Sequence, residues 1–168
     1  MDAVTAALTG SFIGAFAGIG GGLALEAYKR RRDRKGTASA LAGEIASLIF
    51  MSERRKYVEF FESILPTLDV GVDVPIAKFA PGADHRDPVA DRLLDKLGLL
   101  PGNQPERVVR FYAMISGIRR DLERMANGEF DALGKAMLIR ETLGLWVEAV
   151  ALGNDLVTEL QREASGWR

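Results

Sequence analysis

From Ala3 to Leu25 the chain carries no charge, and its only side-chain hydroxyls are Thr5, Thr9 and Ser11. A helix rises about 1.5 Å per residue, so roughly 20 apolar residues cross a hydrocarbon core about 30 Å thick. These 23 residues therefore predict a transmembrane helix with some tilt. Beyond Lys35 the apolar positions recur at helical spacing. Leu41, Ile45, Leu48 and Ile49 share a face, and the run continues through Tyr57, Phe60, Phe61, Ile64 and Leu65 to Pro66. This predicts one helix from about 38 to 65, either continuous with the first or bent away from it at Gly36.

The period then changes. Val70, Val72, Val74 and Ile76 alternate with Gly71, Asp73 and Pro75, which suits an edge strand or an extended packing segment near 69–79. Pro81-Gly82-Ala83-Asp84 reads as a turn, and so long a connection is a natural place for a partner-binding surface. Asp87 followed by Pro88 starts a short helix with Val89, Leu93, Leu94 and Leu97 inward and Gly98 at its end. Leu99-Leu100-Pro101-Gly102 is an apolar turn. Pro105 opens a helix with Val108, Phe111 or Tyr112, Ile115, Ile118, Leu122 and Met125 on its apolar side, closed by Gly128.

The last helix spans about 130 to 164, with Ile139, Leu143, Trp146, Val150, Gly153, Val157 and Leu160 as its stripe. Leu138, Leu145, Leu152 and Leu156 widen that face, which places this helix at the centre of a bundle or against another subunit. The pattern predicts an all-α protein in three parts. Residues 1–28 are a transmembrane anchor, 29–37 a basic juxtamembrane segment, and 38–168 a cytoplasmic domain of about four helices.

Charge sets the orientation. Lys29, Arg30, Arg31, Arg32, Arg34 and Lys35 surround a single acid, Asp33, whereas the other end of the apolar run has only Asp2. The positive-inside rule puts the amino terminus outside and everything after Tyr28 in the cytoplasm. A cleaved signal peptide would begin with positive charge and have a shorter core, so a retained anchor fits better. A buried helix of a water-soluble protein is disfavoured by six glycines between Gly10 and Gly22, each costing about 1 kcal/mol against alanine in water.

Gly10, Gly14, Gly18 and Gly22 recur every fourth residue and lie along one stripe. A second helix can approach such a stripe closely, so it predicts packing against a second copy or another membrane protein. Gly18-Ile19-Gly20-Gly21-Gly22 is not a phosphate-binding loop: no strand precedes it, Leu23 stands at the third glycine position, and no Gly-Lys-Ser/Thr follows. An oligomeric pore lined by the glycine helices is the alternative, weakened by the lack of a polar stripe.

The 168 residues carry a net charge of −1. Residues 1–28 hold −2 and residues 29–35 hold +5, leaving −4 on the remainder. That mild acidity argues against nucleic acid as a partner, and the basic patch fits anionic lipid headgroups. The absence of cysteine rules out disulfides and thiolate metal sites and agrees with a cytoplasmic domain. Sixteen arginines against six lysines, with abundant Ala, Gly and Leu, read as a bacterial coding bias and place the anchor in the inner membrane.

Pro88-Val89-Ala90-Asp91, Lys96 to Pro101 and Val108 to Tyr112, with Gly43-Glu44-Ile45 upstream, resemble a group of uncharacterised bacterial single-pass membrane-anchored helical proteins. The chain differs from that group at Ala90, where an aromatic is expected. The resemblance implies an amino-terminal anchor, a basic juxtamembrane patch and a helical domain, and it implies no activity.

Catalytic chemistry is not evident. His85, the single histidine, lies in Asp84-His85-Arg86-Asp87 and reads as an exposed turn residue, since only carboxylates could complete a metal site around it. No serine or threonine has a histidine in a nucleophile pattern. Arg54-Arg55-Lys56 and Arg119-Arg120, with the acids near them, read as solvated helix faces. The expectation is a non-enzymatic scaffold, adaptor or accessory subunit, without cofactor or metal, assembled through the membrane helix.

Overall fold

The computed structural model describes the backbone of residues 3–76 and 92–166; within the first helix, side chains are described for Gly22 and from Ala24 onward. The described residues include four α-helices and one 3₁₀ segment, and none of them forms a strand. Helix α1 spans Ala3–Arg54, α2 Tyr57–Asp69, α3 Gln104–Ala126 and α4 Ala132–Ser165, with the 3₁₀ turn Leu94–Leu99 leading into α3. The protein is all-α. Among the described residues no helix is long and apolar enough to cross a membrane. The side chains of the apolar run Ala3–Leu25 lie almost wholly outside them, as does the packing of Gly10, Gly14 and Gly18.

Helix α1 passes Gly36 without a break. Thr37 and Ala38, the next two residues, are buried, so the bundle packs against the helix where glycine would otherwise weaken it. The break comes at Arg55-Lys56 instead, where Lys56 takes a left-handed conformation with φ 53°. One helix from 38 to 65 was expected, and there are two. On an unbroken helix, at about 100° per residue, Ile45 and Phe61 would face roughly 160° apart. The left-handed residue resets that phase, so that Ile45 and Ile49 enter one core cluster while Phe61, Ile64 and Leu68 enter another.

Helix α2 also runs past its expected stop at Pro66, to Asp69. Proline in a helix interior leaves the carbonyl four residues earlier unpaired. Here that residue is Glu62, and both Glu62 and Pro66 are exposed, so the carbonyl lies on the solvated side. Gly71, with φ 81°, turns the chain, and an extended stretch then brings Ile76 into the core. The alternation read from 69–79 holds only in part, because Val70 and Val72 are exposed, and residues 77–79 lie outside the described residues. The turn at Pro81–Asp84, His85 and the Asp87-Pro88 helix start fall there too. The end of that short helix is a 3₁₀ turn in which Leu97 is buried but Leu94, expected inward, is exposed.

Helix α3 ends in a Schellman motif: Glu129 N donates to Arg124 O at 3.1 Å and Gly128 N to Met125 O at 3.2 Å. Gly128 has φ 72°, a conformation that glycine adopts without strain. Helix α4 is capped by Asp131, whose Oδ1 accepts from Gly134 N at 2.8 Å, and ends at Gly166 with φ 73°.

Helix α4 is the hub, packing against α1, α2 and α3. Its amino-terminal half, with Ile139 and Trp146, shares a core with α2 and α3, and the Tyr57 and Trp146 ring centroids lie 5.2 Å apart. Its carboxy-terminal half, with Leu156 and Leu160, shares a core with α1, the 3₁₀ turn and the start of α3. Ile139, Trp146, Gly153 and Leu160 of the expected stripe are buried, and its other three positions each give way to the residue before them. Thr142, Ala149 and Leu156 are buried, whereas Leu143, Val150 and Val157 are half-buried. The buried line mixes small residues, Thr142, Ala149 and Gly153, with large ones, Ile139, Trp146, Leu156 and Leu160. Gly153 marks the tightest point: a Cβ there would lie 2.7 Å from Ile49 Cδ1 and 2.8 Å from Phe111 Cε2.

Candidate functional site

Most polar groups between helices tie the bundle together. Arg107 reaches from α3 to α4 and forks onto Glu159, with Nη1 at 2.5 and 2.6 Å from the two carboxylate oxygens. Tyr112 donates to Glu44 across α3 and α1. Arg140 on α4 holds Asp69 at the end of α2 through Nη2 at 2.7 and 2.6 Å. Lys135, 4% exposed, places its Nζ 2.6 Å from Asp73 Oδ1 and so fastens the extended stretch after α2 to α4. Each pair is satisfied by its partner, and none contains a nucleophile beside a base. Among the described residues no three His, Cys, Asp or Glu side chains gather into a metal-binding group.

One place gathers charge without balancing it. Helix α1 leaves the bundle at about Arg34, and residues 24–33 are exposed all round. Where it leaves, the last turn of α4 and the 3₁₀ turn approach it and enclose a cleft of about 850 Å³. Arg30, Arg31, Arg34 and Lys35 line the α1 wall, and Arg162 and Glu163 the α4 wall. Gly98, Leu99 and Pro101 close the third side. Helical spacing explains the choice of α1 residues. Positions 27, 30, 31 and 34 share a face, whereas Lys29 and Arg32 point elsewhere and do not line the cleft.

Five cations thus face one carboxylate. Arg34 Nε lies 2.7 Å from Glu163 Oε1, but off the line of a hydrogen bond, and this nitrogen is buried without a hydrogen-bond partner. Arg30 pairs with Glu26 one turn earlier, 2.9 Å away and fully in solvent. Lys35 Nζ packs against Gly166, the helix cap at the negative end of α4. Among the described residues, Arg31, Lys35 and Arg162 have no carboxylate partner.

Of the residues singled out in the sequence, the structure therefore brings together four of the six cations between Lys29 and Lys35. Gly22 is the one member of the glycine stripe whose surroundings are described, and nothing lies within 4 Å of a Cβ placed there. Sequence reasoning missed Arg162, Glu163 and the 3₁₀ wall. The available signals were a basic residue in the last turn of α4 and the apolar turn Leu99 to Gly102, neither of which states what it meets in space. No protein-family model, curated protein or solved structure matches the chain.

Proposed function

We propose that this protein is a single-pass membrane scaffold or accessory subunit, anchored by residues 3–25 with its helical bundle on the cytoplasmic side. The observation that carries this reading is the form of α1. It is one helix of 52 residues, about 78 Å long, whose exposed residues 24–33 carry it beyond the bundle and join the uncharged run to the basic segment. The described residues of the projecting part make no core with the rest of the chain, as Leu25 at 55% and Tyr28 at 65% exposure illustrate. A helix extended that far from its own core gains its stabilisation from another environment. Hydrocarbon suits an uncharged run, and Tyr28 with the cations after it suits the headgroup layer.

The bundle supplies a rigid cytoplasmic body without evident chemistry, which favours binding over catalysis. Association through Gly10, Gly14, Gly18 and Gly22 would make the anchor a homo-oligomer or join it to another membrane protein. Native mass spectrometry of the full-length protein in mild detergent tests this directly. The expected result is an oligomer, or a complex of fixed ratio, that dissociates in the Gly14→Leu, Gly18→Leu double variant while helical circular dichroism is unchanged. A monomer that alkaline washing releases from membranes would refute both anchor and assembly. Ion flux through liposomes carrying the oligomer would favour the pore over the scaffold.

A further inference from the structure

We propose that the cleft between α1, the 3₁₀ turn and the last turn of α4 binds the phosphate headgroup of an anionic membrane lipid, an inference that rests on the anchor reading. Arg30, Arg31, Arg34, Lys35 and Arg162 oppose Glu163 alone, so the lining carries a net +4. Cations held this close repel one another, and an anion seated among them relieves the repulsion. Arg31, Lys35 and Arg162 have no carboxylate partner among the described residues, and the single carboxylate of the lining, Glu163, is already engaged by Arg34 at 2.7 Å. Guanidinium groups suit a phosphate because they offer two parallel donors, and Arg31 and Arg162 approach it from opposite walls.

Size and depth select the source of the phosphate. A cleft of about 850 Å³ lies in the usual range for small-molecule sites. Its rim at Ala27 is two residues beyond the end of the apolar run at Leu25, and its lining continues to Lys35, about 12 Å further along the helix. The cleft therefore begins at headgroup level when residues 3–25 span the bilayer. Leu99 and Pro101 give it an apolar lip against which the glycerol end of a lipid can pack. A bound headgroup would bridge α1 and α4, which makes this a lipid site that secures the bundle against the membrane surface and not only a set of topology charges.

The test uses full-length protein in phosphatidylcholine nanodiscs containing a minor fraction of phosphatidylglycerol, with retained lipids identified by native mass spectrometry. Arg162→Gln is the informative variant, because residue 162 is far from the anchor and leaves the topology charges intact. Wild type should retain phosphatidylglycerol over phosphatidylcholine, and Arg162→Gln and Lys35→Gln should each weaken that preference about tenfold. Arg110→Gln, whose partner Glu148 lies 3.5 Å away on the side of the bundle, should not. Equal retention by wild type and Arg162→Gln would overturn the assignment. Displacement of the lipid by inorganic phosphate would assign the cleft to a soluble phosphate and overturn the lipid reading. Flotation with pure phosphatidylcholine liposomes reports on the anchor alone: protein that floats there but retains no phosphatidylglycerol preference in nanodiscs refutes the cleft, and failure to float refutes the anchor.

Discussion

Alanine at Gly153 sets helix propensity against packing, and the structure says which prevails. Glycine in a helix interior costs about 1 kcal/mol relative to alanine, so propensity alone makes Gly153→Ala stabilising. The new Cβ, however, would sit 2.7 Å from Ile49 Cδ1, 2.8 Å from Phe111 Cε2 and 3.3 Å from Ile45 Cγ2. Carbon atoms pack best at about 3.5–4.0 Å, so two neighbours must retreat by most of an ångström. The Ile49 methyl can rotate, but Phe111 is 1% exposed and its ring is wedged between α1 and α4. Overpacking of this kind costs about 2–3 kcal/mol, which exceeds the propensity gain and leaves a net loss of about 1–2 kcal/mol.

For a chain of this size that lowers Tm by about 2–8 °C, read from helical circular dichroism of the full-length protein in detergent. Gly144→Ala is the matched control, on the same helix but exposed with nothing within 4 Å, and should raise stability by about 0.5–1 kcal/mol. Adding Ile49→Val to Gly153→Ala removes the nearest clash, so the double variant should be more stable than the two separate effects predict. If Gly153→Ala raises Tm as Gly144→Ala does, the close approach of α1 to α4 is wrong.

Two further expectations concern other elements. Asp73→Asn removes the charge partner of the buried Lys135 and should cost about 1–3 kcal/mol, whereas Lys135→Met removes the buried ammonium itself and should cost much less; chemical denaturation would show that asymmetry, and equal losses would refute it. Lys56→Gly relieves a left-handed lysine at the α1–α2 break and should raise stability by about 0.5–1 kcal/mol in the same measurement, while a loss would mean that Lys56 is not left-handed.

Helical periodicity was legible wherever an apolar stripe ran unbroken. Helices α3 and α4 appear where Val108 to Met125 and Ile139 to Leu160 placed them, with Pro105 near the start of α3 and Gly128 at its close. What failed was phase. The break at Arg55-Lys56 carries no glycine or proline, and only the relative rotation of two apolar faces, settled by packing, requires it. Pro66 misled in the opposite sense, because a solvent-facing proline in a last turn leaves a carbonyl that water can satisfy. Along α4 the expected stripe holds at Ile139, Trp146, Gly153 and Leu160, while Thr142 and Ala149 are buried in place of Leu143 and Val150, since close helix contact favours the smaller residue. Half of the cleft was readable as a run of cations. Its other half, Arg162 and the 3₁₀ turn, lies more than sixty residues away along the chain, beyond the reach of local pattern.

The unbroken course of α1 past Gly36 makes the helix a shaft, so the heading of its outer end is keyed to that of its inner end. At about 100° per residue, the mean direction of Gly10, Gly14, Gly18 and Gly22 lies roughly 155° from that of Ala38, Leu41, Ile45 and Ile49, which face α4. Copies that meet along the glycines would therefore carry their bundles on the outside, like blades on a hub, leaving α1 itself at the axis. A twist or slide imposed on the outer end of the helix would be carried to the bundle, and one imposed on the bundle to the outer end.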